Sequence, residues 1–208
     1  MRKLLKIPFE SFDNDWDLLQ EYLERQGNPM YQLHGNVDLT GRKDVTDLGN
    51  LVRILGNLKL KGTSITRLTN LVYVAGDLIL SGVRIRSLGN LEFVEGNLDL
   101  TGTAIKSLDK VKRVDGTVDV KYSDIETLSN IEYIGGDLIA SGSQLKSFGN
   151  LRIIGGYLDF GGTKVTSYGN IKKIGGTVYF SGGTRMPKKE LNKFRTWINP
   201  FDYPNDMM

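Results

Sequence analysis

The sequence contains no cysteine and only one histidine, His34. Without cysteine the chain has no disulfide, no thiolate metal ligand and no cysteine nucleophile. A single histidine excludes metal sites built from histidine clusters and makes most histidine-dependent catalysis improbable. We therefore expect no metal ion, no cofactor and no enzymatic activity.

Long apolar runs and a strong charge of one sign are also missing. No stretch approaches the roughly 20 apolar residues of a membrane-spanning helix, and no signal-peptide apolar segment follows the basic residues 1–6. The net charge of +3 does not require a nucleic-acid partner. Proline, at 5 residues against 25 glycines, is too scarce for collagen. We expect a soluble protein of the cytoplasm with no membrane partner, and the composition disfavours a nucleic-acid partner.

A 20-residue repeat fills most of the chain. One glycine position, one asparagine position and several apolar positions recur at this period, and Lys110 is the one break in the asparagine series. The glycine series is Gly56, Gly76, Gly96, Gly116, Gly136, Gly156 and Gly176, and the asparagine series is Asn50, Asn70, Asn90, Asn130, Asn150 and Asn170. A repeat this short cannot bury its own apolar face, so its copies must stack on one another.

The repeat predicts a parallel β-solenoid. Leu58-Lys59-Leu60 alternates as a strand with one buried face does. Coils stacked at about 4.8 Å would share one continuous core. We expect a mainly β, right-handed solenoid of about 7–8 coils. The asparagine series should form a ladder that satisfies backbone groups at a turn.

Both ends of the chain carry helical patterns that would cover an open solenoid end. At the start, Trp16, Leu19 and Leu23 have helical spacing, and Asp13 or Asn14 can cap the helix. We divide the chain into an N-terminal cap at 1–34 with a helix near 14–26, a solenoid at 35–183, and a C-terminal helical cap and tail at 184–208. The second pattern consists of Pro187, Leu191, Phe194 and Ile198, with Trp197 nearby.

The repeat resembles the leucine-rich repeat. Leu58-x-Leu60-x-x-Thr63-x-Ile65-x-x-Leu68 follows that consensus, with threonine where asparagine is usual. The run from Gly96 to Ile105 resembles short repeats of bacterial and phage proteins, and the pattern is also similar to receptor L domains. The resemblance covers about residues 35–183 and implies a fold rather than an activity. Twenty residues leave little room for a convex helix, so we expect a mostly β coil.

One outward series combines residue types that anchor protein interfaces. In the first strand of each coil, the position between the inward-facing residues should face outward, and in most coils it holds arginine or an aromatic residue. These residue types are common anchors of protein interfaces. Stacking of exposed aromatic rings along a β-ladder would explain the same pattern without a partner. The series reads Arg53, Tyr73, Phe93, Arg113, Tyr133, Ile153 and Lys173.

The repeat is irregular in the coils around residues 110–122. Lys110 replaces the ladder asparagine, and Tyr122 replaces a glycine that six other coils keep at the same corner: Gly62, Gly82, Gly102, Gly142, Gly162 and Gly182. Such a break is typical of a functional site or of drift in a tolerant coil. A single contact cluster would comprise Arg113, Asp119, Lys121 and Tyr122.

The second strand of each coil places Asp99 and Asp119 one coil apart on its outward side. Carboxylates about 5 Å apart can serve retaining glycoside hydrolysis, so a carbohydrate-binding or carbohydrate-cleaving solenoid is one alternative. A solvated pair neutralised by Lys121, or weak cation binding, would account for the same residues. The coils show no insertion that would build a cleft. Ice binding is disfavoured because Lys61, Val83 and Lys121 interrupt any threonine array.

These patterns predict a non-catalytic protein-interaction module. The bacterial and phage resemblance implies either a small effector that binds and blocks a host protein, in the host cytoplasm, or a structural component of a virion or larger assembly. A small basic cluster near the C-terminus would need a salt test before nucleic acid is dismissed; it comprises Arg185, Lys188, Lys189, Lys193 and Arg195.

Overall fold

Two parallel β-sheets run the length of the molecule and form a solenoid. The structure is a computed structural model that describes residues 4–180, 187–191 and 193. The first sheet has nine strands, numbered here in chain order: β1 (Leu5–Pro8), β2 (Tyr31–His34), β4 (Leu51–Leu55), β6 (Tyr73–Val74), β8 (Phe93–Val94), β10 (Arg113–Val114), β12 (Tyr133–Ile134), β14 (Ile153–Ile154) and β16 (Lys173–Ile174). The second sheet has eight: β3 (Val37–Asp38), β5 (Leu58–Lys59), β7 (Leu78–Ile79), β9 (Leu98–Asp99), β11 (Val118–Asp119), β13 (Leu138–Ile139), β15 (Leu158–Asp159) and β17 (Val178–Tyr179).

The strand pairing confirms the solenoid predicted from the repeat. Each strand pairs in parallel with the strand one coil away, as Val74 does with Val94 and Leu78 does with Leu98. Eight strands in the second sheet enclose seven complete turns. Residues 20 positions apart therefore lie side by side, and each column of the sequence repeat is a physical column on the rod.

One apolar core fills the interior of the coils. The inward columns are buried from end to end, as Ile54, Leu58, Leu60 and Ile65 show with none of their surface exposed. The position of Thr63 holds threonine or serine in the coils through Thr163, except for Val83. Thr63 and Thr103 donate their hydroxyls to the carbonyls three residues earlier at 2.7 and 2.8 Å. This local hydrogen bond lets a small polar side chain lie within the core.

The asparagine series forms the predicted ladder to backbone groups. Asn90 Nδ2 donates to the Thr69 carbonyl and Asn130 Nδ2 to the Asp109 carbonyl, both at 2.8 Å. Lys110, the exception, donates to Asn90 Oδ1 at 2.7 Å. The lysine therefore remains attached to the ladder through its neighbour's amide.

A second ladder, which the sequence reasoning did not identify, follows the repeated glycine. In six successive coils a side-chain oxygen accepts the amide N–H of the residue 20 or 21 positions later. Asp77 Oδ1 accepts from Asn97 at 2.7 Å, and Asn97 Oδ1 accepts from Thr117 at 2.8 Å. The acceptors are Asn36, Asn57, Asp77, Asn97, Thr117 and Asp137. The ladder satisfies the amides at the corner between the two sheets.

The N-terminal segment packs on the first coil with a helix and one additional strand. Helix α1 (Trp16–Arg25) buries Trp16, Leu19 and Leu23, as its spacing predicted. Strand β1 pairs with β2, and β2 pairs with β4, so the first sheet begins well before residue 35. A short 3₁₀ turn at 9–12 precedes the helix.

The residue that caps α1 is Asp15, and not Asp13 or Asn14. Asp15 Oδ1 accepts the amides of Asp17 and Leu18 at 2.8 and 3.2 Å. Asp13 and Asn14 instead have left-handed backbones, with φ of 52° and 56°, because they close the 3₁₀ turn. A residue at the N-cap needs an extended backbone, which Asp15 has.

At the other end, helix α2 (Lys188–Leu191) begins directly after Pro187, where the proline predicted a first turn. Glu190 Oε2 accepts the hydroxyl of Ser167 and the amide of Tyr168, both at 3.2 Å. Phe194, Trp197 and Ile198 of the predicted cap lie outside the described residues, as do Arg185 and Arg195 of the basic cluster. Within the described part of the chain, no helix is long and apolar enough to cross a membrane.

Candidate functional site

The predicted arginine and aromatic series forms a continuous column on the first sheet. Arg53 pairs in register with Tyr73, Tyr73 with Phe93, Phe93 with Arg113, and Arg113 with Tyr133. We call these five residues the Arg/aromatic column, and the outward surface of the first sheet the first face. Arg53, Phe93 and Arg113 are exposed, and the two tyrosines are half-buried. The column therefore presents its side chains to solvent from a rigid sheet.

Two guanidinium groups in the column are stacked on tyrosine rings. The Arg53 Cζ lies 4.3 Å from the centre of the Tyr73 ring, and the Arg113 Cζ lies 4.4 Å from that of Tyr133. The Lys112 ammonium lies 5.8 Å from the Phe93 ring. Cation–π contacts of this kind hold flexible cationic side chains in one orientation before any partner arrives.

Two carboxylates flank the column, and the sequence reasoning did not include them. A hydrogen bond to Glu95, together with burial, raises the pKa of Tyr73 above its ordinary value. Asp115 accepts a hydrogen bond from Arg113 Nε. Both carboxylates follow a column residue by two positions, directly after its two-residue strand, and their contacts with Tyr73 and Arg113 place them on the same face.

The middle of the first face is concave. A depression of about 320 Å³ is lined by Arg53, Tyr73, Phe93 and Arg113, with Glu95 and Asp115 at its side. Phe93 lies between the two stacked arginines and has 37% of its surface exposed. This combination of an apolar centre and a charged rim is typical of a protein contact.

The outward residues of the second sheet form a second face, which contains the paired carboxylates. Asp99 and Asp119 are register partners in β9 and β11. Asp99 Oδ1 accepts the Thr101 amide at 2.9 Å, and Asp119 Oδ1 accepts the Lys121 amide at 3.0 Å. The second oxygen of Asp119 pairs with Lys121 Nζ at 3.1 Å, and this contact raises the pKa of Lys121. These bonds give the carboxylates a role in closing the turn after each strand.

Tyr122 lies at the corner after β11 in a left-handed conformation, with φ of 54°. Its side chain is 72% exposed, and its ring lies against the α-carbon of Gly142 in the next coil. The sister corners keep glycine with φ between 66° and 77°, as at Gly62 and Gly102. An exposed aromatic ring is thus held at a corner whose backbone favours glycine.

The predicted single cluster of Arg113, Asp119, Lys121 and Tyr122 is distributed over two faces. Arg113 lies in β10 of the first sheet and contacts Asp115 and Tyr133. Asp119 lies in β11 of the second sheet, and Lys121 and Tyr122 follow it. The corner at Gly116 separates the two groups, so they would contact a partner from different directions.

Within the described residues, no group of three or more histidine, cysteine, aspartate or glutamate side chains has the arrangement of a metal site. Comparison of the chain with protein-family models, with curated proteins and with solved structures finds no match. The first face and the second face are therefore interpreted from their own geometry.

Proposed function

We propose that the chain is a non-catalytic protein-binding module whose contact surface is the first face. The observation that supports this proposal most directly is the Arg/aromatic column. Its arginines are already stacked on tyrosine rings, at 4.3 and 4.4 Å, beside the exposed Phe93. Arginine and aromatic side chains carry much of the binding energy of protein interfaces. Groups that are ordered before binding lose less conformational entropy when the partner arrives.

The bonding of the second face favours binding over glycoside hydrolysis. An acid and a nucleophile need carboxylate oxygens directed at a substrate. Asp99 and Asp119 each use one oxygen on a backbone amide, and Lys121 occupies the other oxygen of Asp119. The pair therefore stabilises the turns, and the proposal assigns it no chemistry.

The test is affinity capture from lysate of the organism that encodes the chain, followed by mass spectrometry. The wild type is compared with Arg53→Ala/Phe93→Ala, which truncates two exposed column residues. The matched control is Arg84→Ala/Leu18→Ala, which removes an exposed arginine and an exposed apolar side chain that both lie outside the first face. Circular dichroism and urea denaturation first establish that each variant is folded.

We expect one protein in stoichiometric amount with the wild type and the control, surviving moderate salt. The column variant should lose it by at least about tenfold, the effect of removing one interface anchor. Equal capture by the column variant would remove the first face from the proposal. Recovery only within particles of fixed composition would instead favour a structural role in a larger assembly.

A further inference from the structure

The C-terminal half of the first face carries three exposed cations, Arg152, Lys172 and Lys173. We call these the basic patch. The Lys172 amide donates to the Arg152 carbonyl at 2.8 Å, and Lys173 is the register partner of Ile153 in β14. The three residues therefore lie on adjacent coils. Among the described residues, none of the three forms an ion pair with a carboxylate within 4.0 Å.

The basic patch belongs to the same face as the Arg/aromatic column. Lys173 and Ile153 continue the column in register beyond Tyr133. The position just before the column borders that face as well, since the Lys112 ammonium reaches the Phe93 ring one coil earlier. Glu132 occupies this bordering position in the next coil, and Arg152 and Lys172 occupy it in the two coils after that.

Lys112 and Arg113, two coils before Arg152, are each paired with a carboxylate, whereas the cations of the patch are not. Lys112 pairs with Glu92 at 2.7 Å, and Arg113 pairs with Asp115. In the later coils the position that Asp115 occupies holds Gly135, Gly155 and Gly175. A Cβ at any of these three glycines would overlap the carbonyl oxygen of the coil before it, so no carboxylate can be placed there.

The first face thus has two chemically different halves. The N-terminal half offers Val52, Val72, Tyr73 and Phe93, and the C-terminal half offers positive charge beside bare glycine backbone. An extended segment along the column from Arg53 to Lys173 would cross six coil spacings, or about 29 Å. About nine residues of extended peptide cover that length.

We infer that the first face binds an extended protein segment whose acidic end lies on the basic patch and whose apolar or aromatic end lies on Tyr73 and Phe93. This inference rests on the proposed function and specifies the partner's chemistry. Charge complementarity to the patch supplies the acidic end. A nucleic-acid strand fits the face less well, because Glu92, Glu95 and Asp115 stand beside the aromatic half and would repel its phosphates.

The test uses two matched triple variants. The first, Arg152→Gln/Lys172→Gln/Lys173→Gln, neutralises the basic patch. The second, Arg67→Gln/Arg84→Gln/Arg86→Gln, removes the same charge from three exposed arginines outside the first face. The probes are peptides selected from a random display library on the wild type, and a single-stranded oligothymidylate. Affinities are measured by fluorescence anisotropy at low and moderate salt.

We expect selected peptides that combine aspartate or glutamate at one end with aromatic or aliphatic residues at the other. The patch variant should bind them at least about tenfold more weakly, with a smaller salt dependence, while the control variant binds as the wild type does. A photo-crosslinker at the acidic end should label the coils of the patch.

Three results would overturn the inference: no peptide enriched, enriched peptides without an acidic end, or acidic peptides that bind both variants equally. Tighter, patch-dependent binding of the oligothymidylate would reassign the face to nucleic acid. If peptides lose affinity with Arg53→Ala/Phe93→Ala but not with the patch variant, the proposed function stands and the acidic specificity is wrong.

Discussion

Asp109 and Glu190 receive the same pair of hydrogen bonds at two levels of the rod, although one lies in a turn and the other in a helix. Asp109 Oδ2 accepts the Ser87 hydroxyl and the Leu88 amide at 2.8 and 2.7 Å. Glu190 Oε2 accepts the equivalent groups four coils later, from Ser167 and Tyr168, at 3.2 Å. Helix α2 thus supplies the last coil with a carboxylate of the kind that Asp109 supplies within the rod.

The carboxylate of Asp109 should contribute to stability through these bonds. Asp109→Ala removes the acceptor of a half-buried amide and should lower the free energy of unfolding by about 1–2 kcal/mol. Asp109→Asn keeps one acceptor oxygen and tolerates the left-handed backbone, so its loss should be smaller. Urea denaturation of both variants gives the comparison. Equal losses would show that the charge, or the backbone alone, matters more than the hydrogen bonds.

The hydrogen bonds that Glu190 accepts at the end of the rod should protect the nearby backbone from hydrogen exchange. Glu190→Ala should speed hydrogen exchange at the Tyr168 amide, since helix α2 then loses its bond to that group. Exchange in the central coils around Val114 should stay as in the wild type. Uniform acceleration along the rod would instead mean that α2 stabilises the whole structure.

Replacing Tyr122 by glycine tests the corner of the irregular coil. A non-glycine residue with φ of 54° carries a conformational cost of about 1 kcal/mol, which glycine relieves. We expect Tyr122→Gly to be as stable as the wild type or slightly more stable in urea denaturation. A clear loss of stability would show that packing of the ring on Gly142 outweighs the backbone cost.

Alanine substitutions at two glycines distinguish the cost of steric overlap from the cost of a left-handed backbone. Gly155→Ala should cost about 2–3 kcal/mol, because the added methyl group overlaps the Gly135 carbonyl. Gly102→Ala should cost only about 1 kcal/mol, because its φ of 66° is strained for alanine but the space around it is open. The reverse order in thermal or urea unfolding would contradict the close approach of the coils at Gly155.

Stability should decrease at alkaline pH. Burial raises the pKa of Tyr31 and of Tyr168 above the ordinary value of 10.0, so the folded protein keeps phenolic protons that the unfolded chain releases. The free energy of unfolding should therefore be unaffected below about pH 9 and fall as the pH rises above 10, by up to about 1.4 kcal/mol per pH unit for each tyrosine. Urea denaturation across this range measures the slope, which Tyr31→Phe should reduce.

The 20-residue period was enough to predict which residues are neighbours. Once Arg53 and Tyr73 are known to differ by one coil, their adjacency follows, and so does that of Asp99 and Asp119. The period could not predict side-chain torsions, so the stacking of Arg53 on Tyr73 and the bond between Tyr73 and Glu95 were found only in the structure. It also could not show that the carboxylate of Asp99 turns back onto the Thr101 amide.

Outside the repeat the sequence was less informative. Three polar residues in a row, Asp13 to Asp15, can each cap a helix, and the preceding 3₁₀ turn decides between them by fixing the backbone of the first two. Strand β1 ends in a proline and lies before the first copy of the 20-residue repeat. Its sequence therefore gives no indication that it pairs with the sheet. The second ladder was not predicted because its position holds asparagine, aspartate or threonine. These residues all accept the same hydrogen bond, but they do not form a repeat of one residue type in the sequence.

The constant coil length has a genetic consequence. Because every coil from Gly56 onward hydrogen-bonds to residues about 20 positions away, removing or duplicating one whole coil would leave the remaining contacts in register. Unequal recombination within the coding sequence could thus change the length of the rod in steps of about 4.8 Å without redesigning its core. Single-residue insertions inside a coil would instead turn buried side chains outward, so whole-coil changes are the variations that selection can most easily retain.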